Sequence, residues 1–122
     1  MSNLKSENAS AAIIIDKQSN FLLQKRDNKK SIFFPAHWGL FGGAKNKNES
    51  YENTLKRELT EEIGFAPKNI KFFIKLTFQL KNKKIHRYFY VCKVDSLISK
   101  KIVLCEGQAY KVFKKEKLLK AI

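Results

Sequence analysis

One stretch, from Gly42 to Phe65, constrains this chain more than any other part of its sequence. It reads GGAKNKNESYENTLKRELTEEIGF and joins two glycines, a polar loop and an amphipathic helix pattern. Ser50 is predicted to be the helix N-cap, because its hydroxyl can accept a free backbone N–H of the first turn. Gly64 is predicted to end the helix in the left-handed conformation that glycine adopts at low cost. The stretch therefore predicts a helix between these two caps.

The predicted helix has an apolar face and an acidic face. Apolar residues recur every four positions, which predicts a stripe packed against a core: Leu55, Leu59 and Ile63. Three carboxylates stand at i, i+3 and i+4 and so share another face: Glu58, Glu61 and Glu62. Their mutual repulsion is offset in part by Lys56 and Arg57, and a hard divalent cation would offset it better. On spacing alone, a solvated acidic helix face is an equally good interpretation.

The wider spacing of the stretch resembles a known motif. Gly43 is followed after five residues by Glu49, and after seven more by Arg57-Glu58-Leu59; Glu61-Glu62 and Gly64-Phe65 complete the pattern. These nine residues over 23 positions match the Nudix box at every defined position, so the chain resembles a Nudix (MutT-like) hydrolase. The chain length and the order of predicted elements also fit that family.

The resemblance implies a fold and a reaction. The fold would be of the α/β class, an α/β/α sandwich around a central mixed β-sheet. The reaction would be hydrolysis of the pyrophosphate bond in a nucleoside diphosphate linked to another group, with Mg²⁺ as cofactor and Mn²⁺ as a substitute. A small nucleotide, of the dNTP or nucleotide-sugar type, is the favoured substrate. The alternatives are an enzyme acting on RNA 5′ ends and a non-catalytic nucleotide-binding module.

The resemblance also implies roles for individual residues. The metal ligands would be the carbonyl of Gly43 and the carboxylates of Glu58, Glu61 and Glu62. One of these carboxylates could act as general base. Arg57 and Glu49 are expected to pair across the loop–helix junction and to orient these carboxylates. Glu106 is expected to be a further metal ligand or base, although a solvated loop glutamate is an equally good interpretation.

The residues before the helix supply candidate substrate contacts. Gly42 and Gly43 are expected to form a tight turn whose backbone approaches a ligand closely. Arg26 follows a predicted strand and is a candidate substrate contact, with a plain surface arginine as the alternative. His37 is interpreted as a loop residue rather than a ligand, and Trp38 as a core residue rather than a base-stacking platform.

Composition constrains the partners. The formal net charge is +14, from 25 basic and 11 acidic residues, and such a charge favours polyanions. However, the basic residues are mostly Lys, and the abundance of Lys, Asn and Ile is also typical of an AT-rich genome. Compositional bias is therefore the favoured interpretation, and nucleic acid is a less favoured partner than a small nucleotide. A homodimer is suggested by the resemblance only.

The chain is expected to form one domain over residues 1–122, with residues 1–8 frayed. It has no apolar run long enough to span a membrane and no apolar signal core, which predicts a cytoplasmic protein without membrane contact. Cys92 and Cys105 are interpreted as buried reduced thiols rather than as a disulfide or a metal pair.

Outside the helix, strands are predicted to dominate. The expected strands are Ala11–Ile15, Phe21–Lys25, Trp38–Phe41, Ile70–Leu80, Ile85–Val94 and Ala109–Phe113. A basic amphipathic helix is expected over Lys114–Ile122. Three side chains in the fifth strand could face either the cleft or the solvent: Arg87, Tyr88 and Tyr90.

Overall fold

The computed structural model of the chain describes residues 8–25, 38–97 and 110–117. The elements in chain order are β1 Ala9–Ile15, β2 Asn20–Lys25, β3 Trp38–Gly39, β4 Phe41–Ala44, α1 Tyr51–Ile63, β5 Asn69–Leu80, β6 Lys83–Lys93 and β7 Tyr110–Lys114. Residues 115–117 are helical, whereas Lys114, where the C-terminal helix was predicted to begin, belongs to β7; residues 118–122 lie outside the described residues. None of the helices in these three segments is long and apolar enough to cross a bilayer.

The strands form one mixed sheet. Its order is β3-β2-β1-β6-β5, with β4 also paired to β1 and β7 also paired to β2. The β1–β6 pair is parallel, and the other pairs are antiparallel. Strand β1 has two neighbours on one side, since Ala9–Ala12 pair with β4 and Ile14–Ile15 pair with β2. The predicted α/β fold around a mixed sheet is therefore confirmed.

Helix α1 packs against β1 and β4. The predicted apolar stripe is buried: Leu55, Leu59 and Ile63 are at most 1% exposed. Each such side chain contributes roughly 1.5–3 kcal/mol to folding when fully buried. The stripe shares its core with Phe41, Ile14 and Cys92. The prediction of a buried reduced thiol is thus confirmed for Cys92, whereas Cys105 lies outside the described residues.

The position of the two glycines in the structure differs from the predicted turn. Gly42 and Gly43 do not form a turn; they lie within strand β4 and pair with Ala11 and Ser10 of β1. Gly42 has φ +151°, and a Cβ at this position would collide with the carbonyl oxygen of Ser10. Glycine is required here for the close approach of two strands, which local sequence patterns do not reveal.

Several strand ends also differ. The predicted strand Trp38–Phe41 divides at Leu40 into β3 and β4. The turn predicted over Lys81–Lys84 is shorter, because β6 already begins at Lys83. Lys81 adopts φ +49°, which lets a two-residue connection reverse the chain.

Asp16 organises the connection between β1 and β2. Its buried carboxylate accepts hydrogen bonds from the backbone N–H groups of Gln18, Asn20 and Leu97, and from the side-chain amide of Asn20. Burial acts to raise the pKa of Asp16, but these hydrogen bonds, led by that from Leu97, outweigh it and lower the pKa. The turn is therefore tied to a segment about 80 residues away in sequence.

Candidate active site

The ends of α1 are fixed by the two predicted caps. The Ser50 hydroxyl accepts the backbone N–H of Asn53 at 3.1 Å. Gly64 adopts φ +83°, and its N–H donates to the carbonyl of Thr60 at 3.1 Å. The hydroxyl of Ser10 in β1 donates to the carbonyl of Tyr51 at 2.7 Å, which ties the start of the helix to the sheet. Both cap predictions are confirmed, and they place the helix carboxylates relative to β4.

Two of those carboxylates meet the backbone of β4. The N–H of Gly42 donates to Oε1 of Glu62 at 3.1 Å. The Glu58 carboxylate lies directly against Gly43, where any Cβ would collide with its atoms. Gly42 and Gly43 were expected to bring the backbone close to a ligand; in the structure they bring it close to the helix carboxylates, within a strand packed against α1. The arrangement brings Glu58 and Glu62 to one edge of the sheet.

Arg57 connects the acidic residues of the site. Its Nε lies 2.7 Å from Oε2 of Glu49, and its Nη2 lies 3.0 Å from Oε1. Nη1 donates to Oε2 of Glu58 at 3.0 Å and to Oε1 of Glu61 at 3.3 Å. Nη2 also donates to the carbonyl of Ala44 at 3.1 Å. The predicted pairing of Arg57 with Glu49 is present, and the same guanidinium holds two helix carboxylates and the end of β4.

Glu49 is surrounded by donors. Besides Arg57, it accepts hydrogen bonds from the N–H of Asn46 at 3.1 Å and from the hydroxyl of Thr54 at 3.0 Å. The hydrogen bonds from Arg57 have the largest effect and lower the pKa of Glu49 to about 2, against the opposing effect of burial. The same contact with Glu49 is the main cause that raises the pKa of Arg57. Both members of the pair are therefore ionised at neutral pH.

Thr54 is a site residue that the sequence motif does not identify. It is fully buried, and its hydroxyl reaches Glu49 from the first turns of α1. The available signal was a threonine directly beside the apolar stripe, a position where a hydroxyl needs a hydrogen-bond partner once buried.

Carboxylates and a backbone carbonyl are the hard oxygen ligands that Mg²⁺ prefers, so the residue types fit. In residues 8–25, 38–97 and 110–117, however, no three His, Cys, Asp or Glu side chains are arranged to hold an ion together. Glu58 and Glu61 instead contact Arg57, and Glu62 contacts the backbone of Gly42.

Several predicted site residues are not placed by the structure. Arg26, His37 and Glu106 lie outside the described residues, and only the backbone of Trp38 is described. Tyr90, for which two orientations were open, is buried in the core, whereas Tyr88 is half-buried and stacks on Tyr51 of α1.

Comparison with known proteins gives consistent matches. The model of the NUDIX domain matches residues 5–121. The 8-oxo-dGTP diphosphatase of Buchnera aphidicola subsp. Schizaphis graminum is 30% identical over 108 residues, which cover 88% of this chain and 77% of that protein. The 8-oxo-dGTP diphosphatase of Buchnera aphidicola subsp. Acyrthosiphon pisum is 39% identical over 56 residues, so this match covers 46% of the chain and only 45% of that relative. The solved structure of a MutT protein from Methanosarcina mazei Go1 has a TM-score of 0.74 and 26% identity, covering 94% of this chain and 81% of that one.

Proposed function

This chain belongs to the Nudix hydrolase family, and we propose that it hydrolyses the pyrophosphate bond of a small nucleotide with bound Mg²⁺. The family and its 8-oxo-dGTP diphosphatase relatives support the predicted pyrophosphohydrolase class. The observation that carries the proposal is the convergence of Glu58 and Glu62 on the backbone of Gly43 and Gly42. An oxidised purine nucleoside triphosphate is the first substrate to test, because two relatives are named for it.

In the proposed site, Mg²⁺ would be held by the carbonyl of Gly43 and by the carboxylates of Glu58, Glu61 and Glu62. When bound, Mg²⁺ supplies charge neutralisation for the diphosphate and polarises its phosphoryl oxygens. One of the carboxylates takes a proton from the attacking water. Mn²⁺ is a substitute, since it also accepts oxygen ligands.

Arg57 and Glu49 act as positioning residues in this proposal. Phosphoryl transfer depends mainly on placement and on charge stabilisation. A displacement of about 1 Å in such a site can cost on the order of 10²-fold in rate. The guanidinium contacts Glu58 and Glu61 and is itself held by both oxygens of Glu49, so it limits movement of those two carboxylates.

The test is phosphate or pyrophosphate release from a substrate panel with Mg²⁺ or Mn²⁺. The panel contains dNTPs, 8-oxo-dGTP, nucleotide sugars, ADP-ribose, dinucleoside polyphosphates and triphosphorylated RNA. Wild type is compared with Glu62→Gln and with Glu52→Gln, which removes an exposed carboxylate of the same helix that pairs with Lys56. We expect turnover of one small-nucleotide class that stops with EDTA, is lost in Glu62→Gln and persists in Glu52→Gln.

Two results would contradict the proposal. Turnover of triphosphorylated RNA alone would assign the chain to RNA 5′ ends. Nucleotide binding without any turnover would assign it to the non-catalytic modules of the same family.

We further propose that residues 1–122 form a single domain, that the protein is cytoplasmic and forms a homodimer, that Arg26 contacts the substrate, and that Glu106 is a metal ligand or a base. Sedimentation would test the dimer. Arg26→Ala should raise KM, whereas Glu106→Gln should lower kcat.

A further inference from the structure

Three aromatic rings and two lysines lie together at the N-terminal end of α1. Tyr51 of α1 and Tyr88 of β6 stack with ring centroids 3.8 Å apart and planes inclined by 19°. The ammonium group of Lys45 lies 5.5 Å from the Tyr51 centroid, and that of Lys75 lies 5.6 Å from the Tyr88 centroid. The Phe72 ring contacts Tyr88 at a centroid distance of 5.8 Å. We call these five residues the aromatic–lysine strip.

The strip has exposed aromatic surface. Phe72 is 57% exposed, although its ring touches Tyr88. The next residue, Phe73, is 60% exposed and lies at a shift in the β5–β6 register, between Phe72 and Ile74. Such a bulge redirects side chains and interrupts the ladder. Neighbouring exposed phenylalanines are costly in water and are typical of interaction surfaces.

The positive charge of the strip favours an anionic partner. Both of its charged members are lysines, and Glu52, the residue after Tyr51, is already paired with Lys56 at 3.1 Å. Lysines on β5, a strand at the end of the described sheet order, oppose pairing of this edge with another strand, including a strand of a second copy of the chain. The fitting partner is a polyanion that also carries flat apolar rings.

We propose that the aromatic–lysine strip binds single-stranded nucleic acid, with a base stacked on Phe72 and phosphates near Lys45 and Lys75. Base stacking on aromatic rings combined with a basic surface is the usual means of binding single strands without sequence preference. Lysines act here as point charges and do not read base edges as a bidentate arginine does.

The strip shares no residue with the carboxylate site but lies next to it. Tyr51 precedes Glu58 by seven positions, which is roughly 10 Å along α1 at about 1.5 Å per residue, and Lys45 follows Ala44, whose carbonyl accepts a hydrogen bond from Arg57. Binding at the strip is therefore tested with nucleic acids that the proposed hydrolysis does not consume.

The test is fluorescence anisotropy with a labelled 12-nucleotide RNA and its DNA counterpart. Both carry a 5′-hydroxyl, so they contain no pyrophosphate bond. Phe72→Ala should weaken binding by about 5- to 100-fold, and Phe72→Leu should weaken it nearly as much because it keeps apolar volume but no ring. Lys75→Gln should lower affinity and reduce the slope of log K against log salt by about 0.7.

Two matched variants serve as controls. Phe78→Ala removes another exposed phenylalanine of β5, and Lys114→Gln removes an exposed lysine of β7. Both should bind within about twofold of wild type. Thermal unfolding of each variant reports whether it is folded, and the hydrolysis panel should be unchanged by Phe72→Ala.

Four results would overturn the proposal. They are no binding at 50 mM salt, equal losses from Phe72→Ala and Phe78→Ala, equal affinity for a duplex of the same length, and a wild-type dimer that Phe72→Ala dissociates. The last result would show that a second copy of the chain occupies the strip. None of them bears on the proposed hydrolysis, which the substrate panel tests separately.

Discussion

The guanidinium of Arg57 binds both carboxylate oxygens of Glu49, with Nε 2.7 Å from Oε2 and Nη2 3.0 Å from Oε1. Glu49 precedes α1, whereas Arg57 lies within it, so the pair joins the polar loop to the helix. Because Arg57 also contacts Glu58 and Glu61, the geometry of the loop and the placement of those carboxylates are coupled.

Arg57→Lys should lower kcat strongly. Lysine has a single ammonium group and does not reproduce the planar fork that bridges Glu49, Glu58 and the carbonyl of Ala44. We expect a loss on the order of 10²-fold in kcat, measured by steady-state kinetics on the substrate that the panel identifies. Lys56→Gln is the matched control, because its exposed pair with Glu52 is worth at most about 1 kcal/mol. A loss below threefold would contradict this role.

Acid should destabilise the protein through Glu49. Its folded-state pKa of about 2 lies below the ordinary value of 4.5, so its ionisation favours the folded state. That contribution is fully present above pH 4.5 and is lost as the pH falls from 4.5 to 2. The midpoint of urea unfolding, measured from pH 6 to pH 2.5, should fall less steeply in Glu49→Gln than in wild type. Parallel pH profiles would refute the assignment.

Gly43→Ala should disturb the site by displacing Glu58. The added methyl group would collide with the Glu58 carboxylate, so either the side chain or β4 must move. We expect a loss of stability and a loss of activity on the order of 10²-fold or more. Glu58→Ala provides the control, since it removes the colliding atoms. Gly43→Ala should cost less stability in the Glu58→Ala background than in wild type, and equal costs would exclude this collision as the cause.

Thr54 should act as a positioning residue through its hydroxyl. Thr54→Val keeps the buried shape but removes the donor to Glu49, which should cost about 1–3 kcal/mol in the free energy of unfolding. It should also lower kcat several-fold with little change in KM. Thr54→Ser restores the hydroxyl and should recover kcat even though it loses a methyl group. If serine and valine variants have the same kcat, the hydrogen bond has no role in positioning.

Cys92 should be inert in the folded protein. Burial raises the pKa of its thiol from 9 to about 12, which lowers the reactive thiolate fraction on the order of 10³-fold. Mass spectrometry after iodoacetamide treatment at pH 8 should find Cys92 unmodified in buffer and fully modified in guanidinium chloride. Rapid labelling under native conditions would show that β6 opens readily.

Much of the site was predictable because its determinants are local. The caps at Ser50 and Gly64 depend on backbone groups within four residues. The apolar stripe and the acidic face follow from 3.6 residues per turn. The pairing of Arg57 with Glu49 followed from the motif resemblance, and the structure contains it.

The predictions that the structure corrects concern residues whose partners are distant in sequence. Gly42 and Gly43 were predicted to be a turn, since glycine pairs usually reverse the chain, but their partners are Ser10, Ala11 and Glu58. Thr54 was overlooked because a hydroxyl beside an apolar stripe gives no indication of which acceptor it reaches. In both cases the deciding contact is a steric or hydrogen-bond fit that packing creates.

The sequence by itself determined the helix, its caps and the spacing of its carboxylates, since hydrogen bonds and helical periodicity act over a few residues. Only the tertiary structure decided that β4 runs beside those carboxylates, that Ser10 anchors the start of α1, and that Tyr51 stacks on Tyr88. These contacts join residues 20 or more positions apart. Their formation depends on how the sheet and helix bury a common core, and no local pattern encodes that arrangement.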